Sequence, residues 1–234
     1  MELKNKKVLI TGSTDGLGKL LALELDKLGA NVIIHGKDKN KIDTVITNLS
    51  NSEKFILCDL RNTNEVKKKF SEIKELDILI NNAGLWSEGN TIDITEERII
   101  ELVNVNLASY LLVTRTLLPV LLDSEFSQIL NVISVAGYEV PTEFYHTTYS
   151  ATKYGLQGYS EAMAKEFEGK NLRIMGFYPG GMDTKIFTKA GETYKEGKPW
   201  MFDPIESVEA IKFMLTRNPK VSVKRMDLIN QLFE

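Results

Sequence analysis

Six short runs of almost wholly apolar residues most constrain how this chain can fold: Val8-Leu9-Ile10, Val32-Ile33-Ile34, Phe55-Ile56-Leu57, Ile78-Leu79-Ile80, Ile129-Leu130-Asn131-Val132-Ile133 and Ile174-Met175-Gly176-Phe177. They are too short for helices and too uniformly apolar for half-exposed strands, so they read as central strands covered on both faces. Between the first two, Leu17, Leu20, Leu21, Leu25 and Leu28 recur at helical spacing and form one stripe, with Gly29 as the stop. That is a βαβ unit. Repeated along the chain, the alternation predicts an α/β fold: a doubly wound parallel sheet of about seven strands flanked by helices.

With 234 residues, 43% of them hydrophobic and 26% charged, one domain spanning 1–234 accounts for the whole chain. No internal repeat or low-complexity linker divides it. The one long irregular stretch, about Lys185 to Pro204, is expected to be a substrate loop. A net charge of -3 argues against nucleic acid as a partner. Cys58 is the single cysteine and excludes an internal disulfide. The apolar region Leu107 to Leu122 is broken by Ser109, Thr114, Arg115, Thr116 and Pro119, which makes a poor membrane span. A cytoplasmic protein without membrane contact is expected.

The first strand runs into Thr11-Gly12-Ser13-Thr14-Asp15-Gly16-Leu17-Gly18, where a helix N-terminus and its amides can hold a diphosphate. Gly12 serves the turn, Gly16 close approach to the cofactor, and Gly18 helix-to-strand packing. Asn81-Asn82-Ala83-Gly84 follows the fourth strand and Ser134 the fifth. Tyr149-Ser150-Ala151-Thr152-Lys153 then sets a tyrosine and a lysine one helical turn apart on one face. Tyr194 and Lys198 repeat that spacing among Gly191, Gly197 and Pro199, where a helix is not expected.

In this order the motifs resemble those of the short-chain dehydrogenase/reductase family: T-G-x-x-x-G-x-G, N-N-A-G, serine and Y-x-x-x-K. The resemblance runs from about Lys6 to Met214 and implies a compact Rossmann-type domain that binds NAD(P). It also implies a catalytic set of Asn106, Ser134, Tyr149 and Lys153. Tyr149 is the general acid/base and Lys153 the cation that lowers its pKa and holds the nicotinamide ribose. Ser134 bonds the substrate oxygen, and Asn106 supports a proton-relay water. Asn104 has a competing claim to the last role. The Ser134 to Tyr149 interval of fifteen residues is longer than the family's and points to a larger substrate-side loop.

For the cofactor, the resemblance assigns the glycine-rich segment Thr11, Gly12, Ser13, Thr14, Asp15, Gly16, Leu17 and Gly18. It adds Asp59 and Leu60 at the adenine, Asn82, Ala83 and Gly84 beside the adenosine, and Pro179, Gly180, Met182 and Thr184 at the carboxamide. Gly36 stands where NAD-preferring relatives carry an acid, and Lys37 follows it, which favours NADP(H) over a still possible NAD(H). An Asp at position 36 is expected to be tolerated. Asp15 argues the other way, standing where many NADP-preferring relatives carry a base. His35 is read as a packing residue. Trp86, Tyr138, Phe144, His146, Met182 and Phe187 border the substrate pocket in relatives, with His146 alternatively facing solvent, so a small carbonyl or alcohol substrate of apolar or aromatic character is expected. No metal site is expected.

Relatives also pair through the helices that correspond to Val105–Leu122 and Tyr149–Phe167, which implies a homodimer or homotetramer. Two other activities compete with this one: a nucleotide-sensing protein without turnover, which the intact tetrad argues against, and a sugar-nucleotide epimerase or dehydratase, which the short chain and the glycine spacing disfavour.

Overall fold

The computed structural model describes residues 1–50, 54–140, 145–192 and 197–232. Seven parallel strands make one sheet: β1 (Lys7–Ile10), β2 (Asn31–Gly36), β3 (Phe55–Leu57), β4 (Ile78–Asn81), β5 (Ser127–Val132), β6 (Leu172–Pro179) and β7 (Arg225–Leu228). Their order is β3-β2-β1-β4-β5-β6-β7. Among the described residues the α-helices are α1 (Gly16–Lys27), α2 (Lys39–Ile46), α3 (Thr63–Phe70), α4 (Glu96–Val103), α5 (Ser109–Leu122), α6 (Thr147–Glu166), α7 (Ile186–Lys189) and α8 (Pro204–Thr216). Because β2 lies on one side of β1 and β4 on the other, the strand order reverses there. The loops leaving the C-terminal ends of β1 and β4 therefore part and open a crevice.

Alternate side chains of each strand serve opposite layers. Val8, Ile10, Ile34, Ile78, Ile80 and Leu130 pack with Leu17, Leu21 and Leu25 of α1 and Val208 and Ile211 of α8. Leu9, Ile33, Leu79, Ile129 and Ile174 face the other way, toward Val66 and Phe70 of α3 and Val113, Leu117 and Leu121 of α5. A fully buried aliphatic side chain contributes about 1.5–3 kcal/mol, against about 0–1 kcal/mol for an exposed ion pair, so these two layers fix the sheet.

Three expectations change. Leu28 lies outside the α1 stripe: it is the C-cap and is exposed, and Gly29 at φ +81° turns the chain out of the helix. β3 is an edge strand, with Phe55 and Leu57 exposed and the Lys39 ammonium 4.7 Å above the Phe55 ring. The stretch 185–204 is partly ordered by α7, by a bridge between Met182 and Phe202, and by burial of Phe187 and Met201. Glu96–Leu122 is a continuous helical run long and apolar enough to cross a membrane by length and composition. Its Leu102, Tyr110, Val113, Leu117 and Leu121 are buried inside the domain, as befits a core helix.

Candidate active site

The turn after β1 is built by exclusion of side chains. Gly12 sits at φ +65°, and a Cβ there would lie 2.9 Å from Ala83 Cα. A Cβ on Gly18 would lie 2.4 Å from the Gly12 carbonyl oxygen and 2.5 Å from Asn82 Nδ2. Asp15 caps α1, accepting from the Gly16 N–H at 2.8 Å. Two residues assigned to cofactor contact do not face the crevice. Thr11 is buried, and its hydroxyl oxygen accepts from the Asn82 and Ala83 N–H groups at 2.9 and 3.1 Å. Ser13 is buried too, accepting from the His35 N–H at 2.9 Å. Both tie the turn to neighbouring strands.

His35 does more than pack. Its Nδ1 accepts from the Gly12 N–H at 2.9 Å, so Nε2 carries the proton and donates to the Cys58 carbonyl at 3.2 Å. Burial holds its pKa down at about 4, so the ring is neutral and can keep accepting from the glycine turn. Cys58 is a buried core thiol, pushed up to about 11 chiefly by burial.

Toward the adenosine end, Lys37 lines the cleft beside Asp59 and Leu60. The Asp59 carboxylate is already taken by Arg61, whose Nε lies 2.9 and 3.1 Å from its two oxygens. The bond and charge of Arg61 hold Asp59 below the usual range, with help from Lys37. An adenine amine would share that carboxylate with the guanidinium. Asp15 is paired with Lys189 of α7. Burial pushes the Asp15 pKa up, but the bonds from Lys189 and Gly16 and the charges of Lys189 and Lys41 bring it net downward. Its negative charge is thus matched locally, which removes the objection to a phosphate nearby. No motif marks Arg61, Lys41 or Lys189 for this site; the lysines at 37, 39 and 41 and the Arg after Asp59-Leu60 are the local signals. A Cβ on Gly36 would come within 2.6 Å of Thr14 Cγ2, so an Asp at position 36 is not tolerated without a shift of Thr14.

At the other end, Ser134, Tyr149 and Lys153 all line the same cavity of about 680 Å³, which runs on from the glycine turn. Ser134 caps the short turn Val135–Gly137, accepting from the Ala136 N–H at 3.2 Å, and it also hydrogen-bonds Tyr149. Burial pushes the Tyr149 hydroxyl up to about 12, against the lowering effect of that bond. Burial also brings Lys153 down to about 7; its ammonium donates to the Val132 carbonyl at 3.3 Å and stands 5.5 Å from the Tyr149 ring centre. Burial is thus the largest influence on both groups.

Asn106 lies in a π-helical turn, Asn104–Ala108, between α4 and α5. It is fully buried, with Oδ1 accepting from the Leu85 N–H and Nδ2 donating to the Leu85 carbonyl, both at 2.8 Å. Its side chain thus clamps the loop after β4. Asn104 instead faces outward and bonds the Arg61 carbonyl at 3.2 Å. A Cβ on Gly84 would lie 3.7 Å from Asn106 Oδ1 and 4.0 Å from Lys153 Nζ. That glycine leaves the floor between the two polar groups open.

Of the residues expected at the substrate, Trp86, His146, Met182 and Phe187 line the cavity. The Trp86 ring lies 4.6 Å from Tyr149 and 5.2 Å from both His146 and Phe187, and Phe187 is 5.2 Å from Trp200. His146 is buried rather than solvent-facing; its Nδ1 is 2.7 Å from Ser150 Oγ and its pKa is lowered by burial. Tyr138 is not in the cavity: it packs 5.8 Å from Tyr178 under the Arg225 guanidinium, 4.0 Å away. Phe144 and Tyr194 lie outside the described residues. Pro179, Gly180, Met182 and Thr184 follow β6 along the cavity, and Thr184 Cβ is 3.8 Å from where a Cβ on Gly16 would stand.

Known proteins resemble this chain in sequence and in fold. The model of the short chain dehydrogenase family matches residues 6–195. An uncharacterized oxidoreductase, YvrD of Bacillus subtilis, is 34% identical over 203 residues, covering 84% of this chain and 74% of the relative. The 3-oxoacyl-[acyl-carrier-protein] reductase FabG of Rickettsia bellii is 28% identical over 196 residues, covering 84% of this chain and 80% of FabG. Among solved structures, an alcohol dehydrogenase from the archaeon Thermococcus sibiricus complexed with 5-hydroxy-NADP matches with a TM-score of 0.88 at 20% identity, covering 99% of each chain. A short chain dehydrogenase from Escherichia coli CFT073 complexed with NADPH matches at 0.86 and 22% identity, covering 97% of this chain and 98% of that one.

Proposed function

Because this chain belongs to the short-chain dehydrogenase family, we propose that it is an NADP(H)-dependent reductase or dehydrogenase acting on a carbonyl or secondary alcohol, with Tyr149 as the proton-transfer group. The observation that carries this reading is the convergence of Ser134, Tyr149 and Lys153 on the cavity that continues from the glycine turn.

A dinucleotide fits the groups present. Gly12 and Gly18, which have no room for a Cβ, let the turn close on Ala83 and Asn82, and Gly16, where a Cβ would meet nothing nearer than Thr184 at 3.8 Å, leaves the N-terminus of a twelve-residue helix open to a diphosphate. Thr14 and Leu17 wall that turn. Lys37 and Lys41 would face a 2′-phosphate, Asp59 and Leu60 the adenine, and Asn82, Ala83 and Gly84 the middle of the cofactor. Lys153 would hold the nicotinamide ribose, and Pro179, Gly180, Met182 and Thr184 the carboxamide. The NADP-type cofactors of the two solved relatives support the choice of NADP(H).

Bound nicotinamide supplies or accepts a hydride. This chain's residues manage the proton. At neutral pH the Tyr149 phenol is protonated, its pKa standing at about 12, and it is placed to donate to a carbonyl oxygen that Ser134 also bonds. Lys153, near 7, carries its charge as pH falls below that value, and an ammonium beside the emerging phenolate stabilises it. Asn106 holds Leu85, and through it Gly84 and Trp86, against the reacting region.

The test is a panel of apolar and aromatic ketones and aldehydes, assayed with NADPH and NADH by cofactor absorbance. Turnover preferring NADPH is expected. Tight NADPH binding without turnover on any carbonyl would instead make the chain a nucleotide sensor. Self-association is proposed through the outer faces of α4 to α6, where Ile99, Ile100, Val103, Leu122 and Tyr154 are exposed and a Cβ added at Gly158 would meet nothing within 4 Å. Tyr110, Val113 and Leu117 of α5 are already covered within the domain. Sedimentation at micromolar concentration should show a dimer or tetramer, and a monomer alone would refute the proposal.

A further inference from the structure

Trp86 is held at both its backbone and its ring. Its backbone carbonyl accepts from the Arg98 guanidinium, and Arg98 is itself bound by Glu101 at 2.5 Å. Leu85, immediately before it, is clamped at both its N–H and its carbonyl by Asn106. The ring meets Tyr149, His146 and Phe187 at 4.6–5.2 Å, all three lining the cavity. Yet the Nε1–H is buried from water and, among the described residues, has no acceptor. The polar groups of the rings it meets are engaged elsewhere, Tyr149 with Ser134 and His146 Nδ1 with Ser150.

A buried N–H left without a partner is destabilising, and such groups persist where something outside the fold supplies the missing acceptor. Here the ring that carries the donor packs on the ring of the proton-transfer residue. Resting on the function proposed above, we infer that the Trp86 indole N–H recognises a second hydrogen-bond acceptor on the substrate, a few ångströms from the reacting oxygen. The substrate class is a compact dicarbonyl or keto ester whose flat or apolar body lies against Phe187 and Trp200. A simple ketone leaves the donor unmatched, so the site discriminates against it.

The probes are 1-phenylpropane-1,2-dione, which has two oxygens, and propiophenone, which has the same carbon skeleton and one. Trp86→Phe keeps an aromatic ring and removes the donor. It is expected to lower kcat/KM for the dione about 10-fold more than for propiophenone, the size of one hydrogen bond. Phe187→Leu, which alters the wall and keeps the donor, is expected to lower both alike. An unchanged dione-to-ketone ratio in Trp86→Phe overturns the inference. An independent readout needs no turnover. The chain has two tryptophans, so its indole 15N–1H spectrum holds two resonances, assignable with Trp86→Phe. In the protein loaded with NADP+, the Trp86 resonance should move downfield with the dione and stay in place with propiophenone. No movement with the dione overturns the inference, whether or not either ketone is reduced. Movement without reduction of any carbonyl upholds the recognition and rejects the proposed catalysis.

Discussion

The two ends of the cleft are held by different physics. At the adenosine end, glycine backbone and half-exposed charges do the work: Gly12 and Gly18 have no room for a Cβ, while Lys37, Arg61 and Lys189 stand at the rim over Asp59 and Asp15. At the nicotinamide end the groups are buried and ionisable, and desolvation has moved Tyr149 up to about 12 and Lys153 down to about 7. The first end therefore resists added volume and forgives changes of rim charge. The second resists changes of a single proton-carrying atom. Binding and chemistry should be separable by mutation.

The largest effect expected from that contrast is at Tyr149. Tyr149→Phe removes one oxygen from the buried end and nothing from the glycine cradle, so turnover should fall at least about 10²-fold. NADPH affinity, read by cofactor fluorescence, should stay within a few-fold. Equal damage to affinity and turnover would mean that the two ends are not independent.

The ends should also unfold differently with pH when no cofactor is bound. His35, at the glycine turn, stands at about 4 in the fold against an ordinary 6.5, so its contribution is full above pH 6.5 and is lost as pH falls toward 4. That loss is about 3 kcal/mol. Lys153 stands at about 7 against 10.5, so stability rises with pH between those values as the unfolded chain's lysine gives up its proton too. Urea midpoints measured across pH should show both windows. His35→Gln should flatten only the acidic one and Lys153→Met only the alkaline one. If either substitution alters both windows, the assignment of one titration to each end fails.

How much of this was legible in the sequence follows the same division. The strands were readable because burial on both faces demands unbroken apolar runs, as at Ile78-Leu79-Ile80. The exception, β7, reads Arg225-Met226-Asp227-Leu228, a half-exposed edge whose charges hide it among loops. Glycine positions were readable because no other residue satisfies them. Long-range partnerships were not: nothing local marks Asp15 for Lys189, Gly12 for His35, or Gly36 for the Thr14 methyl. The inward turn of Asn106 depends on one π-helical turn, which no side-chain pattern in Asn104–Ala108 announces. The place of Tyr138 against Tyr178 and Arg225 likewise depends on β7.

The smallest expected effect is at the rim, and it sharpens the contrast because it concerns charge without volume. A 2′-phosphate carries close to two negative charges near neutral pH, so the cations it meets decide between NADP(H) and NAD(H). Lys37 lines the cleft next to Asp59, whose charge Arg61 already occupies, and Asp15 is matched by Lys189 and Lys41. Lys37 and Lys41 are therefore the cations expected to meet the phosphate. Lys37→Ala should weaken NADPH by roughly 10-fold, the lower end for a charged hydrogen bond, because Lys41 shares the load. NADH should change little, and added salt should shrink the difference. The reverse design, Gly36→Asp, is no longer a clean swap. Its Cβ would meet Thr14 Cγ2 at 2.6 Å, so it should lower thermal stability, and Thr14→Ser, which removes that methyl, should restore part of it. The deciding measurement is kcat/KM for both cofactors at fixed ionic strength, in wild type and Lys37→Ala. If the variant loses NADPH and NADH equally, Lys37 shapes the turn and does not read the phosphate, and cofactor choice must then rest with Arg61 and Lys41.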